Sequence, residues 1–206
     1  MQLKKLPLFP LQVVLFPHSA LPLHIFEERY KVLINQCLEE GKEFGVNLIR
    51  EEKVFDVGCT ALVAAIQRRY KDGRMDIVVK GSRRYRLHSV DAEVAPYLVG
   101  GVSFLENITE QVDSSLASRT VRLYNSLVHL VYGDRVQQQK LQVDNSGLSF
   151  VLAQKAGMDL TQRQQLLELS SENERLQLLH SYFSEVVPKL RQHGEVDRVV
   201  KGDGYL

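Results

Sequence analysis

The spacing of apolar residues changes about halfway along the chain. Up to about residue 106 the apolar residues form short runs separated by turn-forming residues, a pattern typical of strands. These runs occupy Phe44–Arg50, Val57–Ile66, Met75–Lys80, Tyr85–Val90 and Leu98–Leu105. The pair Asp72-Gly73 predicts a tight hairpin turn, and Gly81-Ser82 predicts a break between two strands. We therefore expect an antiparallel barrel or sandwich in this half.

One helix is predicted to interrupt these strands. From Phe26 onward the apolar residues follow the i, i+3, i+4 spacing of a buried helical stripe, namely Tyr30, Leu33, Ile34, Cys37 and Leu38. This pattern predicts a helix over Phe26–Glu40 that Gly41 ends. The polar residues around the stripe are expected to stay in solvent: Glu28, Lys31, Glu39 and Lys42.

Residues 111–193 have the helical period almost throughout. Helices are predicted over Ser114–Tyr132 and Leu148–Ala156, and two more are predicted after the capping-box patterns Thr161/Gln164 and Ser171/Glu174. Pro188 is expected to kink or fray the last of them. We therefore divide the chain into a β-rich domain over 1–110 and a helical domain over 111–193. Residues 194–206 are expected to form a mobile tail.

The composition is that of an ordinary globular protein. The chain has 206 residues, 44% of them hydrophobic, and a net charge of +1, so its overall charge does not call for a nucleic acid or an anionic membrane. No apolar run reaches the ~18–20 residues of a membrane span. Pro7, Pro10 and Pro17 interrupt the first apolar stretch, which argues against a signal peptide. We expect a cytoplasmic protein.

Motifs for catalysis and metal binding are absent from the sequence. There is no phosphate-binding loop, no G-x-S-x-G elbow, no H-E-x-x-H helix and no C-x-x-C pair. The six histidines never occur at the i, i+4 spacing of a zinc helix. Cys37 and Cys59 are expected to be buried thiols, although a single bridge between them stays open. We predict no catalytic residues, no metal site and no cofactor.

One segment is locally basic. Residues 68–88 carry eight cationic residues against two acids, with Tyr70 and Tyr85 among them. Cations interleaved with aromatic residues are typical of surfaces that bind nucleic acid. The candidate residues for such a site are Arg68, Arg69, Arg83, Arg84 and Arg86. Because the overall charge is close to zero, we favour an ordinary solvated pair of strand faces over a nucleic-acid site.

The first 26 residues are richer in apolar side chains than one edge strand can bury. Most of these side chains are expected in the core, and some are expected to remain exposed as a surface for another chain. The candidates for contact with a polypeptide are Leu8, Phe9, Phe16, Leu21 and Leu23.

The opening of the chain carries the most specific motif. It consists of Leu6-Pro7-Leu8-Phe9-Pro10-Leu11, Val14-Leu15-Phe16-Pro17 and Leu21-Pro22-Leu23-His24-Ile25-Phe26-Glu27, followed by Arg29-Tyr30. Later segments fit the same pattern: Phe44-Gly45-Val46, Val57-Gly58-Cys59, Gly81-Ser82-Arg83 and Pro96-Tyr97-Leu98. Together they resemble the Lon N-terminal domain family, in particular its free-standing bacterial members, over about residues 1–190. His18 stands where many of these members have glycine.

The resemblance implies an α+β fold, with a PUA-like, mostly antiparallel β pseudobarrel that carries one packed helix, followed by a C-terminal helical bundle. In full-length Lon proteases this domain recognises substrate polypeptides, and an AAA+ ATPase domain and a Ser-Lys protease domain follow it. Neither lies within these 206 residues. The resemblance therefore implies a non-enzymatic module, for which a peptidase label would only be inherited. The expected partners are unfolded or hydrophobic polypeptide segments or a partner protein, with RNA binding as the alternative and a weak homo-oligomer left open.

Overall fold

The computed structural model describes residues 3–133, 139–140 and 147–193 of the chain. The chain divides into two units, residues 1–106 and 107–206, and each is described by itself. The functional division at residue 110 stays a prediction. The predicted tail, residues 194–206, lies outside the described residues.

The first unit is built on one sheet whose paired strands are all antiparallel. Its strands are β1 (Lys4–Pro7), β2 (Ala20–Ile25), β3 (Phe44–Arg50), β4 (Lys53–Arg69), β5 (Met75–Asp91) and β6 (Val99–Phe104). They are hydrogen-bonded in the order β1-β6-β5-β4-β3, and β2 pairs with β5 as well. This confirms the mostly antiparallel sheet that the sequence pattern predicts. The prolines of the first segment agree with this sheet. Pro7 lies in β1 and Pro22 in β2, and both are short strands with one partner strand each in the described ranges.

The predicted break at Gly81-Ser82 is wrong, because β5 continues through it. The register with β4 shifts here, between Cys59 and Ala61, so the irregularity is absorbed without ending the strand. The chain approaches Gly81 closely at this point: the Gly81 amide donates to the Ser19 carbonyl oxygen at 2.9 Å, and the His18 amide donates to the Gly81 carbonyl oxygen at 2.9 Å. A Cβ atom on Gly81 would overlap the Phe16 carbonyl oxygen.

His18 adopts a backbone conformation that favours glycine. Its φ is +64°, in the left-handed region where a Cβ atom costs free energy. This conformation fits the expectation from the resemblance that glycine is common at this position. The turn keeps its shape with histidine because the two backbone hydrogen bonds to Gly81 hold it.

The helix α1 spans Glu28–Glu40, so the predicted start at Phe26 is two residues early. Phe26 is 59% exposed and precedes the helix, while Glu27 occupies the cap position. The helix ends at Gly41, which is left-handed with φ +62°, as predicted. Four residues of the predicted stripe are buried, namely Tyr30, Leu33, Ile34 and Cys37, and Leu38 is partly buried.

Lys31 does not stay in solvent as predicted. Its side chain is only 12% exposed, and its Nζ donates to Glu28 Oε1 at 2.7 Å and to the Asp72 carbonyl oxygen at 3.0 Å. The physical reason is that the hairpin turn between β4 and β5 lies beside the start of α1. The chain distance of 41 residues hides this contact from the sequence pattern.

Two glycines of the family motif make room for one tyrosine ring. Tyr85 is fully buried, and Cβ atoms at Gly45 and Gly58 would overlap it, the one at Gly58 at 2.7 Å from the Tyr85 Cζ atom. The Tyr85 hydroxyl donates to Asn47 Oδ1, and Asn47 Nδ2 donates to the Phe55 carbonyl oxygen at 2.9 Å. The buried polar atoms are thus paired, which removes most of the cost of their burial.

The second unit contains α2 (Ser114–Tyr132), α3 (Leu148–Ala153), α4 (Leu160–Glu168) and α5 (Glu172–His193) among its described residues. The bounds of α2 match the prediction, whereas α3 ends before the predicted Ala156. The Asp113 carboxylate caps α2 by accepting hydrogen bonds from the amides of Ser115 and Leu116. Helix α5 continues past Pro188 to His193.

One of the two predicted capping boxes is misplaced. The box at the start of α4 joins Asp159 and Gln162, so Thr161 lies inside the helix. Asp is a cap residue at least as good as Thr, and the Asp159 side chain accepts from the Gln162 amide at 2.9 Å. At the start of α5, Ser171 Oγ accepts a hydrogen bond from the Glu174 amide at 3.0 Å, as the second pattern predicts.

Candidate functional site

The long hairpin of β4 and β5 has two ends that differ in what covers them. We call residues 57–61 and 81–87 the covered end, and residues 62–69 and 75–80 the open end. At the covered end, apolar clusters lie on both sides of the sheet: Cys59 and Ala61 belong to one, and Tyr85 and Leu87 belong to the other. At the open end the first cluster continues through Met75, Ile77 and Val79, and no described residue of the second cluster lies there.

The other side of the open end is exposed. In antiparallel pairs, residues opposite each other point to the same side, so the register of β2, β5 and β4 defines this surface. We call it the outer face. It is made of nine residues: Ala20, Pro22 and His24 on β2, Asp76, Val78 and Lys80 on β5, and Leu62, Ala65 and Arg68 on β4.

The middle of the outer face is apolar. Pro22, Val78 and Ala65 lie side by side across the three strands, and Leu62, next to them on β4, is 44% exposed. Polar residues lie at both ends, with Lys80 at one end and a cluster around Asp76 at the other. An exposed apolar strip with a polar rim is the usual composition of a surface that binds another chain.

The open end also has two unpaired strand edges. Residues 62–69 of β4 pair with β5 on one side, and β2 pairs with β5 alone; no other strand of the described residues joins either of them. Such edges present backbone donors and acceptors to which an extended peptide can add as a further strand. The register of β4 shifts near Val63 and near Ile66, which bends this edge.

A polar cluster closes one end of the outer face. Asp76 Oδ1 lies 2.5 Å from His24 Nδ1, and the Tyr70 hydroxyl donates to Asp76 Oδ2 at 2.8 Å. These hydrogen bonds, that from His24 first, lower the pKa of Asp76 below its usual range. The guanidinium groups of Arg68 and Arg74 lie 4.6 and 5.0 Å from the centre of the Tyr70 ring. The cluster therefore carries both signs of charge.

Three of the five side chains predicted to contact a polypeptide lie in the core. Leu8 and Phe16 are fully buried and Phe9 nearly so. Residues 8–11 run alongside β3, with isolated parallel bridges from Leu8 to Gly45 and from Leu11 to Leu48, so Phe9 packs into the first apolar cluster and Leu8 into the second. Leu21 and Leu23 are partly buried and pack against the first apolar cluster, on the side opposite the outer face. The prediction that Leu8, Phe9 and Phe16 contact a polypeptide on the surface is therefore wrong, because their side chains are not accessible.

The sequence reasoning missed the residues of β2 that do reach the outer face. Along β2 the side chains of one face alternate with those of the other: Ala20, Pro22 and His24 on the outer face, and Leu21, Leu23 and Ile25 on the inner face. This period of two is the sequence signal that predicts a half-buried strand. The choice of candidate residues by hydrophobicity alone favoured Leu21 and Leu23 over Ala20 and Pro22. It therefore selected the buried side of β2 instead of the exposed side.

The five arginines proposed for nucleic acid fall into two separate groups. Arg68 and Arg69 lie at the open end, while Arg83, Arg84 and Arg86 lie at the covered end. Arg68 lies opposite Asp76 of β5, and Arg84 lies eight residues further along β5. The two groups are therefore about 26 Å apart along the strand. The sequence window of 68–88 is thus not one basic patch, because a hairpin carries its two ends apart.

Several of these arginines already have partners within the chain. Arg84 is buried and donates to the Glu106 carbonyl oxygen at 3.4 Å. Arg83 pairs with Glu43 at 3.3 Å and lies 3.8 Å from the centre of the Phe104 ring. Arg69 Nη1 donates to Asn35 Oδ1 at 3.2 Å, whereas Arg86 is exposed.

The two cysteines are free, buried thiols, as predicted. Burial raises the pKa of Cys37 to about 11 and that of Cys59 to about 12, so both stay protonated at neutral pH. Among the described residues no group of three or more His, Cys, Asp or Glu side chains could hold a metal ion. None of the helices in that part of the chain is long and apolar enough to span a bilayer.

The chain is similar to known proteins over most of its length. The family model of the ATP-dependent protease La (LON) substrate-binding domain matches residues 5–185. Lon protease 3 of Sorangium cellulosum is 26% identical over 194 residues, which cover 84% of this chain and 22% of that protein. Lon protease of Desulfovibrio desulfuricans is 28% identical over 196 residues, covering 88% of this chain and 22% of that protein. The chain thus spans less than a quarter of the length of these curated relatives.

A solved structure has the same fold. The Lon N-terminal domain protein from Xanthomonas campestris superposes with a TM-score of 0.69 and 26% sequence identity, over 86% of this chain and 98% of that one. The similarity supports an α+β fold with a mostly antiparallel sheet and helices.

Proposed function

We propose that this chain, which belongs to the ATP-dependent protease La (LON) substrate-binding domain family, is a polypeptide-binding module whose outer face binds exposed hydrophobic segments of other proteins. The family supports a role in substrate recognition. The hydrophobic nature of the bound segment and its place on this chain are our proposal. The cytoplasmic location and a role without catalysis, both predicted from the sequence, form part of the same proposal.

The observation that carries this proposal is the apolar middle of the outer face. Pro22, Val78 and Ala65 form an apolar row across three strands whose inner side is packed into the core, and Leu62 lies beside this row, opposite Lys80. A side chain buried against this strip leaves water and gains roughly 25 cal/mol for each Å² of apolar surface removed.

The unpaired edges suggest how a segment of any sequence could be held. Backbone hydrogen bonds to the edge of β4 or β2 do not depend on the side chains of the bound segment, while the apolar strip selects for hydrophobic ones. This combination suits the recognition of many unfolded chains with modest affinity.

Binding to a permanently unfolded protein tests the proposal. The probe is fluorescein-labelled, reduced and carboxymethylated α-lactalbumin, titrated with the wild-type chain and with Leu62→Ser while anisotropy is measured. About half of the Leu62 side chain remains to be buried, which corresponds to ~1 kcal/mol and thus roughly a fivefold loss of affinity in the variant. Changing the salt from 50 to 300 mM should alter the wild-type affinity less than twofold.

The matched control is Val90→Ser, since Val90 is 49% exposed on the same strand β5 but lies away from the outer face. It should bind like the wild type. Equal affinities for Leu62→Ser and the wild type would remove the outer face from the proposal. A steep salt dependence, with a log–log slope near −0.7 for each phosphate contact when labelled single-stranded RNA is the probe, would favour the nucleic-acid alternative instead.

A further inference from the structure

A second surface with a distinct chemistry lies in the helical unit. The first residues of α2 and α5 lie together, since the Asp113 amide donates to Asn173 Oδ1 at 2.8 Å. Ten residues further along α2, the Tyr124 ring lies 5.9 Å from the Phe183 ring of α5. The two helices therefore run in the same direction side by side. Between them lies a groove of about 350 Å³.

The lining of this groove is cationic and rich in hydrogen-bonding groups. Its residues are Arg119, Arg122, Leu123 and Ser126 on α2 and His180 and Ser184 on α5. The four α2 residues follow the i, i+3, i+4, i+7 spacing of one helix face, and the two α5 residues are four apart, so both helices present one face to the groove. None of the carboxylates in the part of the chain that the structure describes lines it.

The charge of the groove is not balanced by its own helix. From Ser114 to Tyr132, α2 contains Arg119 and Arg122 and no Asp or Glu. Arg119 Nη1 donates to Ser115 Oγ at 2.7 Å, which holds its guanidinium while leaving other donors free for a ligand. Arg122 makes no ion pair with any residue that the structure describes. An arrangement of two guanidinium groups without a counter-charge favours an anion between them.

We propose that this groove binds a phosphomonoester group. A phosphomonoester carries about two negative charges at neutral pH and three strong acceptor oxygens, which matches two guanidinium groups with the Ser126 hydroxyl and the His180 imidazole beside them. The Ser184 hydroxyl donates to the His180 carbonyl oxygen at 2.7 Å. The volume lies at the lower end of the range for small-molecule sites, large enough for the phosphate together with the group that carries it. None of its residues belongs to the outer face, so the proposal does not rest on polypeptide binding there.

Titrations followed by NMR on the ¹⁵N-labelled chain test the site. The probes are glycerol 3-phosphate, which represents a free phosphorylated metabolite, and an acetylated phosphoserine tripeptide, which represents a phosphorylated protein segment. Glycerol and the unphosphorylated tripeptide are the corresponding blanks. We expect saturable shifts of α2 and α5 amides with one or both phosphorylated probes and with neither blank. The tighter of the two probes identifies the source of the phosphate.

The variants Arg119→Gln and Arg122→Gln should each weaken the tighter probe at least tenfold, because each removes charge-assisted hydrogen bonds. Both residues are exposed, so both variants should keep the wild-type circular dichroism spectrum. Arg191→Gln removes the same charge from an exposed position of α5 outside the groove and should change affinity less than twofold.

Three results would overturn the site. The first is the absence of any shift at 10 mM of either phosphorylated probe. The second is a loss for Arg191→Gln as large as that for Arg122→Gln, since it would mean that only the overall charge matters. The third is equal binding of citrate at matched ionic strength, which would show that the groove does not select phosphate over carboxylate.

Discussion

The two ends of the β4–β5 hairpin belong to the same pair of strands yet have different surroundings. At the covered end, residues 57–61 of β4 are buried without interruption, whereas residues 62–69 at the open end are exposed or partly exposed. The same contrast runs along β5, where Met75–Val79 alternates between buried and partly buried side chains, and Arg84 and Tyr85 are buried in succession.

Neighbouring strands account for the difference. At the covered end, β4 lies between β3 and β5, and β5 lies between β4 and β6, so the second apolar cluster can form on the outer side. At the open end, β2 replaces β6 beside β5, and β4 has one partner strand among the described residues. The proposed binding surface therefore lies where a long hairpin extends past the layer that covers its other end.

The largest effect is expected on the inner side of the open end. Leu33 of α1 is fully buried in the cluster that also holds Ile77 and Val79, so Leu33→Ala should lower the free energy of unfolding by about 2–5 kcal/mol. The control Glu39→Ala, on the exposed side of the same helix, should change it by no more than about 0.5 kcal/mol. Urea denaturation measures both. Equal midpoints would mean that the open end has no packed face at all.

A somewhat smaller effect is expected at Gly81, where the two ends meet. Gly81→Ala should lower the free energy of unfolding by about 1–3 kcal/mol, because the added Cβ atom would overlap the backbone oxygen of Phe16, which cannot rotate away like a side chain. Ala65→Ser adds one heavy atom to the outer face of the open end and should be nearly neutral. If both variants have the urea midpoint of the wild type, the close contact between Gly81 and Phe16 does not contribute to stability, and the two ends of the hairpin do not differ in packing there.

The smallest effect is expected from the polar cluster around Asp76 at the open end. Because its hydrogen bonds, that from His24 first, lower the pKa of Asp76 in the folded chain, the stabilisation from this carboxylate is present above its unfolded value near 3.8. It is lost as the pH falls through the lower folded value. The difference in stability between wild type and Asp76→Asn should therefore shrink between pH 6 and pH 2.

The control for this measurement is Asp56→Asn, which changes an exposed carboxylate of β4 at the other end of the hairpin. The thermal midpoints of all three proteins are compared at each pH. A wild-type advantage over Asp76→Asn that stays constant down to pH 2 would contradict the role of the His24–Asp76–Tyr70 cluster.

Much of the local structure follows from short-range patterns in the sequence. The strand β3, the helix α2 and the glycine that ends α1 have the predicted bounds, since helix periods, caps and turn residues act within a few positions. The predicted apolar stripe of α1 is buried for the same reason, because the spacing of side chains along a helix is set by its own geometry. The family motif is also local, and the similarity over residues 5–185 confirms it.

Contacts between distant parts of the chain decided the rest. Lys31 is covered by a turn 41 residues away, and Leu8 and Phe16 are buried by strands that follow them. At Gly81 the strand continues, and its backbone pairs with His18 and Ser19. The candidate surface depends on the same kind of contact. The sequence by itself determined where most of the strands and helices form and which residues are apolar. Which apolar residues face water was decided only by the tertiary structure, because burial depends on the layers that other segments place on each side of the sheet.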